Sequence, residues 1–567
     1  MADPNVLSRR KWLGTVSAST LAATLGVAAQ PGLPAAEPAA TADRDRGARV
    51  YNIRDYGAKG DGTTLDTGAL QAAVDACARD GGGTVLVPAG TFVIGTTELR
   101  SNVTLHVAAG GTLLGSGHGA DYHAVGAIPL HGDSTLADGN WALLFAVDAR
   151  NITLEGPGTI DGQGHLFHRA AAGVPPPSGL EGAHRPYHVL LYRCEQVVVR
   201  DLELVRGAFH SIRIIQSRRV RLDGLYVHNR VNSNNDGFHF ISAHYVTVSN
   251  CIVICGDDAC ALFGSCQFVT VTNSIFSTRW SVFRFGGGQV KNVAVSNCVI
   301  YETYGCPIKI GAGHMQLENL SFANLVLQDV TGPIGIYFSG KAYGGEAAFT
   351  PFVRNISFSN IRATVVDQPR LAYGDMPSIG HAFPGEQHSC ITLDGVNGHR
   401  VEDIRFSDVH VTYAGGGSAE LAAKRVIPET VPRYAGEYFG VWSTAPFGPP
   451  AYGLYARNVK GLTLANVRFD VATPDLRPAM VFDHVQDAAI NGFSAQGNPA
   501  AESLLRFSAT EDVLITAARV RGSAAAFLQI EGPASTGITI DGGDLSKAAQ
   551  PIRVRDGASE AAVRVRG

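Results

Sequence analysis

The sequence predicts an all-β fold, a right-handed parallel β-helix, on three observations. A short motif recurs along the chain, and its clearest copies begin at Val197, Val220, Val246, Val269 and Val293, which are 23, 26, 23 and 24 residues apart. Within each copy apolar and polar residues alternate, as in a strand with one buried face. The composition, with 66 glycines in 567 residues and only 4 methionines, suits many short strands joined by tight turns.

The length of the repeat selects this architecture. A period near 23 residues holds about three short strands and their turns, which together make one coil of a β-helix. Leucine-rich repeats and propellers are excluded because their Leu-x-x-Leu-x-Leu and Trp-Asp signatures are absent. Looser copies extend from Val103 to Ile538, so we expect a single β-helix domain over residues 48–567. An asparagine recurs at the turn of several copies and is expected to stack from coil to coil, because Asn tolerates left-handed backbone.

Other segments are expected to cover the coils. Residues 66–77 have an Asp at the N-cap position and apolar residues at helical spacing, which predicts a helix that caps the N-terminal end of the stack. Long irregular segments predict loops on one face, where solenoids often build their binding sites. These loops are 162–185, 340–351, 367–389 and 413–452. Tyr438 and Trp442 in the last loop are candidates for stacking on sugar rings.

The N-terminus predicts a twin-arginine export signal over residues 1–42. Arg9 and Arg10 precede an apolar and small-residue stretch from Thr15 to Ala29. We therefore expect a periplasmic or extracellular protein, and no other stretch reaches the ~18 apolar residues that a membrane span needs. The formal net charge is −4, and the absence of a long basic run argues against a nucleic-acid partner.

Nine cysteines lie beyond this signal, and six of them fall between Cys251 and Cys306. They lack the C-x₂-C spacing of structural zinc, so we predict neither a metal site nor a cofactor. Small buried thiols are expected, and the sequence leaves one or two disulfides open.

Two acidic motifs lie one coil apart. Asp236 ends an Asn-Asn-Asp segment, and the pair Asp257 and Asp258 begins 21 residues later. Because neighbouring coils are about 4.8 Å apart, the three carboxyl groups are expected to share one small patch. Like charges this close raise the pKa of one group and leave its partners ionised, which is the division of labour that glycoside hydrolysis needs. We therefore predict Asp236, Asp257 and Asp258 as the catalytic residues.

The same coils and the next ones supply positive charge. Strand alternation turns the large apolar residues inward, and so places His239, Ala261, Arg284 and Lys309 outward in one row. Arg and Lys suit a sugar that carries its own carboxylate, although they could instead only neutralise the aspartates. The predicted substrate-binding set around the aspartates is Asn234, His239, Arg279, Trp280, Arg284 and Lys309.

At these residues the chain resembles the polygalacturonase family, the family-28 glycoside hydrolases, whose motifs are Asn-Thr-Asp, Gly-Asp-Asp, Gly-His-Gly and Arg-Ile-Lys. The likeness covers most of the mature chain, and its opening motifs at 56–62, 87–92 and 156–162 are shared by the wider pectate-lyase-like group. The resemblance implies a divergent bacterial member in which Asp258 is the general acid. Asp236 and Asp257 would activate a water for single displacement with inversion, and Lys309 would contact the substrate.

The chain departs from the family pattern at three places. Pro307 stands where the arginine of Arg-Ile-Lys belongs, and Asn235 replaces the threonine. Arg279 falls at the place of the histidine by counting, whereas anchoring on Gly286 puts Ser281 near that place. Loss of the histidine removes a proton-relay partner, so plain polygalacturonan need not be the substrate, and Arg284 could restore the lost positive charge.

Three functions remain compatible with the sequence. The first is an inverting hydrolase of an acidic, galacturonate-containing polysaccharide or oligosaccharide of the pectin type. The second is a lyase or epimerase in which the three aspartates hold Ca²⁺ and Arg279, Arg284 or Lys309 takes a proton. The third is a carbohydrate-binding β-helix without activity.

The mode of attack is predicted from the loops. The segment 413–452 enters a coil that the repeats would have closed with a short turn. With the segment 367–389, which carries His381, Phe383 and His388, it favours a blind pocket and exo-type cleavage.

Overall fold

The structure is a computed structural model in which all described residues belong to the unit Arg46–Gly567. The described residues are 47–126, 128, 140–167, 185–313, 315–338, 350–368, 385–396, 398–429 and 446–566. The segment predicted as an export signal, residues 1–42, lies outside them, so that prediction stays a prediction.

The described residues form an all-β solenoid in which three series of parallel pairings run along the chain, here called the site series, the ladder series and the third series. The site series contains Thr97–Glu98, Ala142–Val147, Tyr187–Tyr192, Ile212–Ile215, Phe238–Ile241, Cys260–Phe263, Phe283–Gly286, Ile308–Ala312, Ile334–Phe338, Ile391–Gly395, the first halves of Leu454–Ala465 and Met480–Asn491, Leu505–Ser508, Ala524–Glu531 and Ala548–Arg555. The ladder series contains Val50–Asn52, Gly83–Val87, Val103–Val107, Arg150–Glu155, Glu195–Arg200, Arg218–Asp223, His244–Ser249, Gln267–Thr272, Gly288–Tyr301, Met315–Val330, Phe352–Val365, Val401–Gly415, the second halves of Leu454–Ala465 and Met480–Asn491, Glu511–Arg521, Thr536–Asp544 and Val563–Arg566. The third series contains Asp61–Leu65, Gly90–Ile94, Gly111–Gly115, Thr159–Asp161, Glu203–Val205, Tyr226–Asn229, Ile252–Cys255, Ile275–Thr278, the last parts of the long ladder strands, Arg468–Thr473 and Ser494–Gln496.

The repeat predicted from the sequence is the coil of this solenoid. Val197 pairs in register with Val220, and Val220 with Val246, so successive motif copies lie on adjacent coils. Alternate residues of each strand are buried and stack on their own kind. Phe358, for example, stacks on Phe322 at 5.2 Å and on Phe406 at 4.9 Å between ring centroids. This inward column of apolar residues supplies the hydrophobic driving force for stacking one coil on the next.

The predicted helix is present as Thr67–Arg79, between the strands Asp61–Leu65 and Gly83–Val87. Its buried residues, which join the main core, are Leu70, Ala73, Val74, Ala76 and Cys77. Asp66 occupies the N-cap position, but its carboxylate accepts the N–H groups of Lys59 and Gly60 at 2.7 and 2.9 Å and makes no side-chain bond to its own helix. Asp66 therefore fixes the preceding loop.

The remaining helices are short. The α-helix Ala419–Ala422 follows a long ladder strand. The 3₁₀ helices are Ile53–Tyr56, Gly119–Asp121, Gly164–Leu166, Glu386–His388 and Glu560–Ala562. Within the described ranges no helix is both long and apolar enough to cross a membrane. The nine cysteines are all described, and each is a buried free thiol, in line with the thiols expected from the sequence.

Candidate active site

The two acidic motifs lie at the same edge of the site series. Asp236 comes just before the strand Phe238–Ile241, and Asp258 just before Cys260–Phe263, and these two strands pair in register. The N–H of Gly237 donates to the carbonyl of Asp258 at 3.0 Å. The motifs are therefore on adjacent coils, as their spacing predicts.

Asp236 lies between two imidazoles. Its Oδ2 is 2.8 Å from Nδ1 of His239 and 3.5 Å from Nε2 of His210. The two rings stack with centroids 4.6 Å apart and an interplanar angle of 9°, and His239 in turn stacks on Phe263 at 4.9 Å. All three polar residues are buried. The stacked rings fix the imidazoles, which in turn hold the carboxylate in one orientation.

This environment shifts the pKa values of Asp236 and His210 in opposite directions. Burial raises the pKa of Asp236 well above its ordinary value, and the charge of Asp258 raises it further, while Arg213 and Arg185 oppose the shift. Burial lowers the pKa of His210 well below its ordinary value, and nearby positive charges lower it further. The carboxyl with a raised pKa that the sequence predicts is thus Asp236, whereas the family resemblance implies Asp258 as the proton donor.

The other two carboxylates are partly exposed and held by different donors. The Ser281 hydroxyl donates to Oδ1 of Asp258 at 2.7 Å, and the Ser281 N–H approaches the same oxygen at 3.3 Å. Asn234 Nδ2 donates to Oδ2 of Asp257 at 3.2 Å, and Asn234 Oδ1 accepts from Arg185 at 3.3 Å. Ser281 and Asn234 therefore orient these two carboxylates from opposite coils.

The predicted outward row is confirmed by the register of the site series. His239 pairs with Ala261, Ala261 with Arg284, and Arg284 with Lys309. The row also extends one coil towards the N-terminus, where Arg213 pairs with His239. Ala261 is fully buried, and the Phe263 ring lies beside both neighbours of the row, with its centroid 4.9 Å from that of His239 and 5.5 Å from Cζ of Arg284.

The two cations of the row differ in their contacts. Lys309 is only 3% exposed, its Nζ lies 5.8 Å from the centre of the Trp280 ring, and no hydrogen bond or ion pair joins it to another described residue. Arg284, which is more exposed, donates from one nitrogen to the carbonyls of Phe285 and Gly311 at 2.6 and 2.8 Å. Lys309 therefore has no anionic partner among the described residues, whereas the backbone binds part of Arg284.

Arg279, predicted as a substrate-binding residue, has a different place. Its side chain is 1% exposed and forms a two-point ion pair with Glu386, at 3.1 and 3.2 Å, and it donates to the carbonyl of Tyr304 at 2.8 Å. Glu386 also accepts from the Thr331 hydroxyl at 3.1 Å. This buried pair directs the guanidinium of Arg279 to Glu386, and the predicted contact with substrate stays a prediction.

Sequence reasoning missed several partners of the aspartates. His210 lies 26 residues before Asp236, and 26 is also the interval from Val220 to Val246, so the coil length could have identified it. The family pattern places Ser281 near the missing histidine but does not predict its hydrogen bond to Asp258. No local feature of the sequence marks Glu386 as a partner of Arg279.

Asn235, which precedes Asp236, has a structural role. It stands at the family's threonine and shapes the turn, since its side chain accepts the N–H of Val231 at 2.9 Å and donates to the carbonyls of Gly207 and Phe209 at 2.9 Å.

A second apolar cluster covers the outward face of the site series on the N-terminal side of these aspartates. It consists of Val125, Ile128, Ala142, Phe145, Tyr187, Leu190, Tyr192, Phe209, Ile215 and Ile241. Val125 and Ile128 come from the segment before Ala142–Val147, and Ile241 ends the strand that follows Asp236. The face is therefore covered up to the coil of Asp236.

The loops predicted to close the site are described only in part. His381, Phe383, Tyr438 and Trp442 lie outside the described residues. Their predicted roles stay predictions.

Among the residues that the structure describes, one group of side chains could hold a metal ion. His210, Asp236 and His239 each offer one ligand atom, and these atoms lie within 4.8 Å of one another. Calcium prefers oxygen ligands alone, so two imidazoles do not suit it. Arg185 and Arg213 add positive charge close to this carboxylate, which also disfavours a cation.

Comparison with known proteins identifies related chains. The family model described as glycosyl hydrolases family 28 matches residues 77–373, which are 297 of the 567 residues and thus more than half of the chain. The chain is 31% identical over 254 residues to an exo-poly-alpha-D-galacturonosidase of Dickeya chrysanthemi, a match that covers 37% of this chain and 41% of that protein. It is 26% identical over 393 residues to an exopolygalacturonase of Platanus acerifolia, covering 67% of this chain and 94% of that protein.

Among solved structures, a hyperthermoactive exopolygalacturonase from Thermotoga maritima has a TM-score of 0.53 to this chain. The sequence identity is 18%, and the match covers 74% of this chain and 92% of that one. At this identity the likeness supports the β-helical fold alone.

Proposed function

Because the chain belongs to glycosyl hydrolases family 28, as its motifs predict, we propose that it hydrolyses an acidic, galacturonate-containing carbohydrate of the pectin type. The relatives named above are an exo-poly-alpha-D-galacturonosidase and an exopolygalacturonase. A galacturonate substrate agrees with the chemistry of the site, where cations stand beside three carboxylates. The relatives and the site chemistry thus support the same substrate class.

The observation that carries the proposal is the arrangement of Asp236 and Asp258 on adjacent coils, with Lys309 in the outward row of the same site series. In the proposed reaction Asp258 donates a proton to the leaving glycosidic oxygen. Asp236 and Asp257 take a proton from a water on the opposite side of the sugar, so the anomeric configuration inverts. Lys309 binds the sugar carboxylate, since its ammonium group lies beside Trp280 and no described residue forms an ion pair with it.

His239 and His210 are positioning residues in this scheme. The family's histidine is absent near Asp258, and its place is taken by the hydroxyl of Ser281 and the buried Arg279. The imidazole of His239 instead stands at Asp236, with Nδ1 2.8 Å from Oδ2, and orients this carboxylate. The histidine is thus moved from the acid side to the base side of the site.

Exo-type cleavage is part of the proposal. The apolar cluster that contains Val125 and Ile128 covers the face of the site series directly beside the coil of Asp236. A polymer lying along the row would meet this cover after passing the aspartates, so only a chain end fits. The lyase alternative is not favoured, because the described cluster with metal-binding geometry contains two imidazoles and is flanked by arginines.

We also propose the handedness of the coils, the extent of the catalytic domain and the export route of the chain. The coils wind to the right, as β-crossovers do in almost all proteins, and the helix Thr67–Arg79 covers the first coils. Residues 48–567 act as one catalytic domain. The twin-arginine segment exports the protein to the periplasm or the medium, where pectin fragments are available.

Product analysis tests the proposal. Purified protein is incubated with polygalacturonate, rhamnogalacturonan and a neutral glucan. We expect new reducing ends from an acidic substrate, no ultraviolet-absorbing unsaturated sugar, and no loss of activity with a chelator. An unsaturated product that disappears with the chelator would show a lyase, and the absence of product from every acidic substrate would refute the proposal.

A further inference from the structure

One position of the ladder series has left-handed backbone in coil after coil. Its residues, with φ between 52° and 74°, are Asn102, Asn151, Gln196, Arg219, Tyr245, Phe268, Asn292, Asn319, Asn355, Asp403, Gly461, Asp487, Asp512 and Gly537. Ten of these fourteen described residues are Asn, Asp or Gly, the types that tolerate this conformation. The four exceptions occupy consecutive coils. We call these four residues, Gln196, Arg219, Tyr245 and Phe268, the interruption.

The interruption has an energetic cost that the rest of the ladder avoids. A bulky residue in left-handed backbone is strained, because its Cβ comes too close to the following carbonyl oxygen. On either side of the interruption, asparagines of neighbouring coils form amide hydrogen bonds, at 2.8 Å between Asn151 and Asn102 and at 2.7 Å between Asn355 and Asn319. Tyr245 and Phe268 have no such bond and stack their rings instead, at 5.1 Å and 4°.

The side chains of the interruption make a distinct surface. Tyr245 and Phe268 are each 47% exposed, so their rings project from the sheet into solvent. The guanidinium of Arg218 lies 5.7 Å from the centre of the Tyr245 ring and has no ion-pair partner among the described residues. Strained backbone that keeps large apolar groups in water is typical of a position selected for binding rather than stability.

A shallow depression adjoins the Tyr245 ring. It has a volume of about 420 Å³ and is lined by Gln196, Val198, Arg219, Arg221, Tyr245 and Thr247, among others. Arg221 forms an ion pair with Asp223 at 2.5 Å, and Arg219 forms one with Glu195 at 4.0 Å. Arg218 therefore supplies the uncompensated charge, and the amide and hydroxyl groups supply hydrogen bonds.

We infer that this face, centred on Tyr245, Phe268 and Arg218, is a second carbohydrate-binding site that holds an acidic polysaccharide chain outside the active site. The aromatic rings would pack against the C–H groups of sugar rings, and the guanidinium would bind a uronate carboxylate. The site belongs to the ladder series and the aspartates to the site series, so a bound polymer leaves the catalytic row open. The choice of an acidic polymer rests on the proposed function.

The test compares polymer binding with turnover of a short substrate. The variant Tyr245→Asn/Phe268→Asn restores the ladder residue and removes both rings, and Arg218→Gln removes the charge alone. Leu514→Asn is the matched control, because Leu514 is also an exposed apolar residue, at 44%, on a distant coil of the ladder series. Affinity electrophoresis in gels with polygalacturonate or a neutral glucan measures binding, in an Asp258→Asn background that prevents cleavage.

We expect the double variant to bind polygalacturonate about tenfold more weakly, the order of one lost stacking or charge-assisted contact. Arg218→Gln should weaken binding of the acidic polymer alone, and Leu514→Asn should change nothing. In the active protein, kcat/KM for a short acidic oligosaccharide should be unchanged by the double variant, and its Tm should not fall, since Asn suits left-handed backbone.

Equal retention of the double variant and the parent would overturn the inference. So would an equal loss of binding to the neutral glucan after Arg218→Gln, or a change in sedimentation that shows the face to be a contact between copies. Failure of the proposed function is read separately, as an absence of turnover of the short acidic substrate by every active form.

Discussion

Asp236 and His239 form a buried hydrogen bond of 2.8 Å between Oδ2 and Nδ1, three residues apart in sequence and across the start of one strand. The carboxyl group is 5% exposed, and its imidazole partner is stacked between His210 and Phe263. Burial and the charge of Asp258 favour the protonated carboxyl, whereas the positive charges of Arg213 and Arg185 favour its ionised form. The balance between these effects sets the pH at which Asp236 can act as a base.

The first prediction follows from that balance. Activity needs ionised Asp236, so kcat/KM should fall as the pH drops through the raised pKa of this group, above the value of about 3.9 of an ordinary aspartate. His239→Asn removes the donor that stabilises the carboxylate and should move this acidic limb to higher pH. The pH profiles of both proteins on one oligosaccharide measure it. A limb that stays in place would separate His239 from the ionisation of Asp236.

The roles of the carboxylates can be separated by the leaving group. If Asp258 is the acid, Asp258→Asn should lower kcat on an oligosaccharide by about 10²–10⁴, yet retain most activity on a galacturonide with an activated aryl leaving group that needs no proton. Asp236→Asn should lose activity on both. The reverse pattern would assign the acid to Asp236, in agreement with its raised pKa and against the family's assignment.

Arg279 should affect folding more than binding. Arg279→Ala leaves Glu386 buried without its main cation, which typically costs about 3–5 kcal/mol of unfolding free energy. Urea unfolding measures this loss. The double variant Arg279→Met/Glu386→Leu is the control and should recover much of the stability. A stable Arg279→Ala protein with a raised KM would instead support the direct contact between Arg279 and substrate that the sequence predicts.

Lys309 should discriminate acidic from neutral substrates. Lys309→Met keeps most of the side-chain volume beside Trp280 and removes the charge, so kcat/KM for acidic oligosaccharides should fall by about 10-fold or more, with little change for neutral ones. Arg284→Met should have a smaller effect, since the carbonyls of Phe285 and Gly311 already bind its guanidinium. Equal losses on both substrate classes would mean that these cations only support the aspartates.

The row of outward residues could be predicted because it depends on local rules. Alternation within a strand fixes which face His239, Arg284 and Lys309 occupy, and the coil length fixes which residues are neighbours. The same rules put Asp236 and Asp258 on adjacent coils. Applied one coil further back, they also reach His210.

Other parts of the site depend on contacts that no repeat encodes. Arg279 and Glu386 are 107 residues apart, and the glutamate begins the short helix Glu386–His388 outside the repeat, so counting along coils could not join them. The cover over the N-terminal side of the site comes from Val125 and Ile128, in a segment without periodicity. The interruption in the ladder was recognised only from the φ angles and the exposure of its residues, which the repeat does not encode.

The most direct test of inverting hydrolysis at these aspartates is the anomeric configuration of the first product. An oligomer of α-linked galacturonate is mixed with the protein in an NMR tube, and the anomeric proton signals are followed before mutarotation. Inversion predicts that the β-anomer appears first and the α-anomer follows only as the sugar equilibrates. Initial release of the α-anomer, or of an unsaturated sugar without a new reducing end from water, would contradict the account.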